Sequence, residues 1–324
     1  MKIAAFRPIS RDAPAVHLPL PRPFHVEWML RHIRTSSYGA PFRFVDRRLL
    51  RRPLRLAGFP AVAEFDLTVA GSLGIRLLSF PSQDARPRKT KAAWLEELAG
   101  QTRFLWGLDQ DATGYLSAMA ADPDLTPLRK RFGGLRIVRA PDMYEALLVA
   151  ILGQQVSVRS AQATRYQLMA NLGTQITVSA ARGEERYGFY PAPQQLIAAG
   201  AGGLRALGVS RQKAAYLLGI ADLAAAGELD RAAWAALSDE EALKRLVEIK
   251  GVGRWTAEIV LMRGLGRPDI FTAGDLGLQA AMQELQGLPE RPAESALREI
   301  AARWTGWRSY AAFYLWMILQ SRAL

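Results

Sequence analysis

Residues 241–264 read EALKRLVEIKGVGRWTAEIVLMRG. On each side of Lys250-Gly251-Val252-Gly253, apolar residues recur at spacings of three and four, the period of a helix with one buried stripe. The segment is therefore two helices joined by a tight turn. Glycine has no Cβ, so Gly251 and Gly253 permit positive φ and the close approach of another backbone. Their exposed N–H groups, with the start of the second helix near Trp255, form an anion site suited to a DNA phosphate. Such a contact positions a protein on DNA without reading sequence. Taken alone, G-x-G between helices is equally well explained as an ordinary helix-turn-helix junction.

Beyond the turn, the chain gains a group able to do chemistry. Residues 269–279, DIFTAGDLGLQ, lead into a further helix with Asp275 at its head. An aspartate there caps the helix, and a capped carboxylate is also a rigid anion that could serve catalysis. The two readings are compatible.

Working outward, residues 143–172 and 211–227 keep the same helical period, and residues 293–324 give one or two more helices. Residues 182–193, RGEERYGFYPAP, read as a connecting loop. Before residue 107 the pattern changes. Residues 64–80, EFDLTVAGSLGIRLLSF, alternate apolar and polar around Gly71 and Gly74, which reads as a hairpin of strands. The arginines Arg47, Arg48, Arg51, Arg52 and Arg55, interleaved with leucines, read as a solvated basic face. Residues 81–91 form a Pro/Arg/Lys loop before a helix at 92–98. The fold class is thus mainly α with an α+β N-terminal domain over 1–106 and a helical domain over 107–324.

Composition narrows the function. The chain has 324 residues and a formal net charge of +12, with arginine well ahead of lysine, a balance expected of a protein that meets polyanions. Cysteine is absent, which excludes disulfides, thiolate zinc sites, iron-sulfur clusters and cysteine nucleophiles. The three histidines, His17, His25 and His32, all lie near the N-terminus without metal-site spacing and read as packing or surface residues. No apolar run reaches membrane-spanning length and no secretory signal opens the chain, so an intracellular, cytoplasmic protein is expected.

The hairpin LVEIKGVGRWTAEIVLMRG, followed at this spacing by FTAGDLG, resembles the helix-hairpin-helix/Gly-Pro-Asp DNA glycosylase superfamily. It is most similar to the 3-methyladenine DNA glycosylase II (AlkA) family. Supporting segments are YEALLVAILGQQVSV from Tyr144, FYPAPQQL from Phe189, LRALGVSRQKAAYL from Leu204 and WTGWRSYAAFYLWMIL from Trp304, in the family's order. Over 107–320 the match is good, and looser before it, where the family has a small sheet domain like half of the TATA-binding protein. The resemblance implies two helical lobes with an active-site cleft between them.

It also implies roles. Asp275 matches the catalytic aspartate, Gly251 and Gly253 the phosphate-holding glycines, and Thr256 a neighbouring backbone contact, with Lys250 a further DNA contact. Gln155 stands where the family inserts a wedge into the gap left by a flipped base. Trp255 and Trp316 match pocket positions, with Leu276, Tyr310 and Phe313 expected nearby. The family's hairpin carries a monovalent cation, Na+ or K+, on main-chain carbonyls that would here be those of Val247, Ile249 and Val252. No other cofactor is required.

Trp255 occupies the position of the Schiff-base lysine of bifunctional members, and an indole forms no Schiff base, so a monofunctional enzyme is expected. Ile259 and Leu276 stand where the best-known members have tyrosines, which makes the pocket less aromatic. The expected partner is double-stranded DNA containing alkylated bases such as 3-methyladenine or 7-methylguanine, bound by a monomer. The alternatives are an 8-oxoguanine or hypoxanthine glycosylase on the same fold, or a non-catalytic DNA-damage-binding protein whose Asp275 would face a filled core. A transcription factor would need a base-reading helix module that is not recognisable here.

Overall fold

The strand signals of the N-terminal region close into one antiparallel sheet. In a computed structural model, which describes residues 15–36, 39, 41–79, 90–180 and 183–322, β1 (Val16–Pro19), β2 (Arg43–Phe44), β3 (Leu49–Leu56), β4 (Phe59–Asp66) and β5 (Ser72–Leu77) take the order β1-β5-β4-β3-β2. The hairpin expected around Gly71 is the β4–β5 pair, with Gly71 at φ 72° in the turn and Glu64 opposite Arg76. Gly74 lies inside β5, where an added Cβ would come within 3.3 Å of Asp66 Cβ. α1 (Val26–Thr35) and α2 (Lys91–Leu105) complete this part, and most of the loop expected at 81–91 falls outside the described residues.

Two expectations are corrected here. Arg51 and Arg52 are not a solvated face: they are 7% and 1% exposed. Arg51 pairs with Glu64 and Glu185, each at 2.9 Å, and Arg52 pairs with Glu145. Acidic partners far away in sequence make their burial tolerable, which a local pattern cannot reveal. Residues 182–193 are likewise more than a loop. β6 (Gln175–Ala180) pairs with β7 (Gly183–Gly188), burying Ile176, Val178 and Tyr187 between their polar neighbours. Glu184 and Arg186 point outward, while Glu185 turns inward beside Tyr187 to meet Arg51, and this unbroken run of charge conceals the strand.

The helical part runs through α3 (Ala112–Ala121), α4 (Thr126–Phe132), α5 (Met143–Gly153), α6 (Val158–Asn171), α7 (Pro193–Ala206), α8 (Arg211–Ala225) and α9 (Arg231–Ala235). α10 (Asp239–Val247), α11 (Arg254–Val260), α12 (Leu276–Gln286), α13 (Glu294–Ala301) and α14 (Arg308–Gln320) follow. Side-chain caps set many of the starts: Asp142, Ser157, Ser210, Ser238 and Asp275 each accept from an N–H in the first turn of the helix that follows.

Two apolar cores organise these helices. One extends from Phe65 and Ile75 of the sheet through Trp106 to Phe313 and Ile318 of α14, so buried packing continues across residue 106. The other joins α5, α8, α10 and α11 through Leu147, Leu217, Leu246 and Val260. Trp316 packs against both, at the seam where the cleft opens. Among the described residues no helix is long and apolar enough to cross a membrane, and no His/Cys/Asp/Glu cluster could hold a metal ion.

α1 docks on α14 through His32, which is fully buried, lies edge-on to Phe313 at 4.8 Å and places Nδ1 2.9 Å from Gln320 Oε1. Burial, and then the charge of Arg263, push the imidazole pKa down from 6.5 to about 3. A lowered histidine pKa gives stability that is whole above pH 6.5 and is lost as pH falls below it, since the unfolded chain takes up the proton first. Urea unfolding should show His32 costing about 2 kcal/mol between pH 7 and pH 5. His32→Asn should flatten the profile by that amount, and a variant slope equal to that of the wild type would contradict the assignment.

Candidate active site

The hairpin begins where α10 ends. Ser238 and Glu241 form a capping box at the start of α10, and Val252 N–H donates to Ile249 O at 2.9 Å to close the turn before α11. Gly251 has φ 90°, and a Cβ there would fall 2.2 Å from Cγ of Tyr216, whose ring lies against the turn from α8. Glycine is therefore needed at 251 on two counts. Gly253 differs: its φ is −81° and open space surrounds it, so its value lies in leaving room for an approaching backbone. Among the described residues, the N–H groups of Gly251 and Gly253 have no acceptor and stand at the head of α11.

The loop between α5 and α6 is tied to this turn. Gln154 Nε2 donates to Gly251 O at 2.8 Å and to Thr256 Oγ1 at 2.9 Å. Lys213 Nζ donates to the carbonyls of Leu152 (3.1 Å) and Gln154 (2.7 Å). Between these anchors Gln155 holds the left-handed φ of 53°, unusual for a residue with a side chain, and is exposed at the cleft. Neither Gln154 nor Lys213 stood out in the sequence; their polar atoms face backbone carbonyls, a relation no spacing encodes. Thr256, by contrast, is 2% exposed with its hydroxyl engaged inward, which leaves its N–H rather than its side chain for any external contact.

Asp275 caps α12. Its Oδ1 accepts from Leu278 N–H at 2.9 Å and from Trp316 Nε1 at 3.0 Å, and its Oδ2 accepts from Trp255 Nε1 at 2.9 Å. Three donors fix the plane of the carboxylate, and two of them are indoles that can only donate. Gly277 keeps the space clear, since a Cβ there would meet Asp275 Oδ1 at 2.9 Å. The carboxylate opens on a cleft of about 1720 Å3 whose walls include Gln155, Lys250, Gly251, Trp255, Trp316 and Leu276. Leu276 is 66% exposed and so sits on the rim.

Tyr310 and Phe313 are corrected. Tyr310 is 3% exposed and stacks on Tyr115 with ring centres 4.0 Å apart, outside the cleft. It lies six residues before Trp316, roughly 120° away around the helix. Phe313 is wholly buried beneath His32. What the sequence did not suggest is Arg263, buried at 4% in the π-helical turn Leu261–Leu265 yet part of the cleft wall, with its guanidinium carbon 5.9 Å from the Trp316 ring centre.

Residues 148–306 match the model of the HhH-GPD superfamily of base excision DNA repair proteins. A Bacillus subtilis protein named DNA-3-methyladenine glycosylase is 33% identical over 69% of this chain and 73% of its own length. The chain belongs to the HhH-GPD superfamily, in its 3-methyladenine DNA glycosylase II branch. A Mycobacterium tuberculosis protein named probable bifunctional transcriptional activator/DNA repair enzyme AlkA is 36% identical over 96% of this chain, which spans 58% of that longer relative. In fold, the HhH-GPD architecture is shared with the 3-methyladenine DNA-glycosylase of Archaeoglobus fulgidus, at a TM-score of 0.79, 24% identity and coverage of 93% and 97% of the two chains.

The two hairpin glycines of this HhH-GPD chain should respond differently to a methyl group. Thermal unfolding should place Gly251→Ala at least about 2 kcal/mol below wild type, from positive φ and the clash with Tyr216. Gly253→Ala should stay within about 1 kcal/mol. Equal losses would mean that the Tyr216 contact does not set the turn.

Proposed function

We propose that this protein is a monofunctional DNA glycosylase that removes alkylated purines, such as 3-methyladenine and 7-methylguanine, from duplex DNA during base excision repair. One observation carries the reading: a carboxylate, Asp275, held by two tryptophan N–H groups, opens on a large cleft beside a glycine turn with free N–H donors. A non-catalytic binder would place Asp275 against a filled core, and it does not lie so.

A stacked base cannot present its glycosidic bond, so the nucleotide is extruded at a cost of a few kcal/mol. Gln155, braced by Gln154 and Lys213, fills the gap and offers an amide to the orphaned partner base. Lys250 and the N–H groups of Gly251, Gly253 and Thr256 hold the backbone of the everted strand. As the bond to an alkylated, positively charged purine breaks, oxocarbenium character grows on the deoxyribose, and the fixed Asp275 carboxylate stabilises it and orients the attacking water. The indoles at Asp275 spare the carboxylate any reorganisation during this step. Trp255, whose Nε1 is committed to Asp275, provides no amine for a Schiff base, so the product is an abasic site in an unbroken strand.

The hairpin carbonyls suit a monovalent cation. Among the described residues the Val247 and Val252 carbonyls accept no backbone hydrogen bond and Ile249 accepts one, so lone pairs of all three are on hand for Na+ or K+. Bound there, the ion would add positive charge near the phosphate. The chain would act as a monomer on chromosomal DNA inside the cell, since cleft and hairpin come from one polypeptide.

The test is excision from duplexes each carrying one defined lesion, with wild type beside Asp275→Asn. The amide keeps an acceptor for the cap but loses the charge and the bond from one indole, so the single-turnover rate should fall by at least about 100-fold with binding retained. Unchanged excision would remove Asp275 from the mechanism, and strand breakage without alkali would overturn the monofunctional reading.

A further inference from the structure

One turn beyond Trp316, on the same side of α14, Gln320 lines the cleft together with His32 and Thr35 of α1. A helical turn advances about 5 Å, so Gln320 stands about that far along the cleft wall from the Trp316 indole that holds Asp275. Gln320 is not free to turn. Its Oε1 lies 2.9 Å from His32 Nδ1, with the Thr35 hydroxyl, which donates to Arg31 O at 3.1 Å, standing 3.4 Å away.

The nitrogen of the imidazole that carries the proton decides which way this amide faces. His32 Nε2 is buried with no partner. An orphaned buried N–H is costlier than an orphaned lone pair. The proton therefore sits on Nδ1 and is donated to Gln320 Oε1. That contact turns the amide so that Nε2 is the end left over, and among the described residues it has no partner.

We propose that Gln320, oriented by His32, is a specificity residue that donates from Nε2 to an exocyclic carbonyl of the everted base, so that the cleft favours 6-oxopurine lesions over 6-aminopurine lesions. The inference rests on the glycosylase reading and names its substrate class. A 6-oxopurine such as 7-methylguanine or hypoxanthine presents an acceptor where an adenine lesion presents an N–H2 donor, and two facing donors repel. Arg263 adds positive potential to the same wall, which suits a carbonyl oxygen. Ile259, 7% exposed in the cleft wall, contributes no aromatic face to attract a cation, so selection shifts from charge toward hydrogen bonding.

The experiment measures 7-methylguanine and 3-methyladenine released from one methylated duplex by wild type, Gln320→Met and Gln320→Glu, with a hypoxanthine duplex in parallel. The ratio of the two bases released in one digest is independent of the fraction of protein that is folded. Wild type should favour the 6-oxo base relative to its abundance. Gln320→Met should lower the ratio roughly 10- to 100-fold by deleting the donor. Gln320→Glu, which presents acceptors, should lower it at least as far, and His32→Asn should move it in the same direction. A ratio unchanged in Gln320→Met, or a wild-type preference for the adenine lesion, overturns the proposal while leaving the glycosylase reading intact. Release of no modified base by wild type removes the glycosylase reading and this inference with it.

Discussion

The hydrogen bonds from Trp255 and Trp316 to the two oxygens of Asp275 are the constraint on which the rest of the site depends. Trp255 belongs to the hairpin, Trp316 to the last helix, and Asp275 to the head of α12. The two tryptophans lie 20 and 41 residues from the aspartate along the chain. A carboxylate shared among these elements cannot keep its position unless hairpin, cap and final helix are all in register. Folding and the preorganisation of the anion are thus one event, and energy spent on packing Trp316 against both cores also aims the acid group.

The second dependence is mechanical. Gln154 joins the α5–α6 loop to the hairpin, and Lys213 joins that loop to α8. The segment carrying Gln155 in a strained backbone conformation is therefore braced from two sides. Strain of this kind persists only where the surroundings over-determine it. The brace explains how an exposed loop can be stiff enough to enter a stacked duplex.

Most of the architecture could be read from residue order. The helix period, the G-x-G turn and the capping aspartate all survive in the folded chain because each is decided within one or two turns of backbone. The losses have a common cause. Arg51 and Arg52 look like surface residues until Glu64, Glu185 and Glu145 arrive from other elements. β7 was hidden because three charged residues run together in it, and one of them, Glu185, faces inward beside Tyr187 to meet Arg51. Tyr310 shares a helix with Trp316 yet stacks on Tyr115, a partner nearly two hundred residues earlier in the chain. His32 was legible as a packing residue, but its hold on Gln320 spans nearly the whole chain. What sequence fails to disclose is pairing over distance, especially between groups whose burial needs a counter-charge.

The β6–β7 ribbon carries a last implication. Glu185 on that ribbon grips Arg51 of the N-terminal sheet, while Arg52 of the same strand grips Glu145 at the base of α5. These clasps, with the shared apolar core, leave the sheet no hinge about which to swing away from the helices. A sheet held in this way is a fixed surface, so a duplex that reaches it must bend to fit, and a sequence that kinks readily around the lesion would be seated with less work than a stiff one.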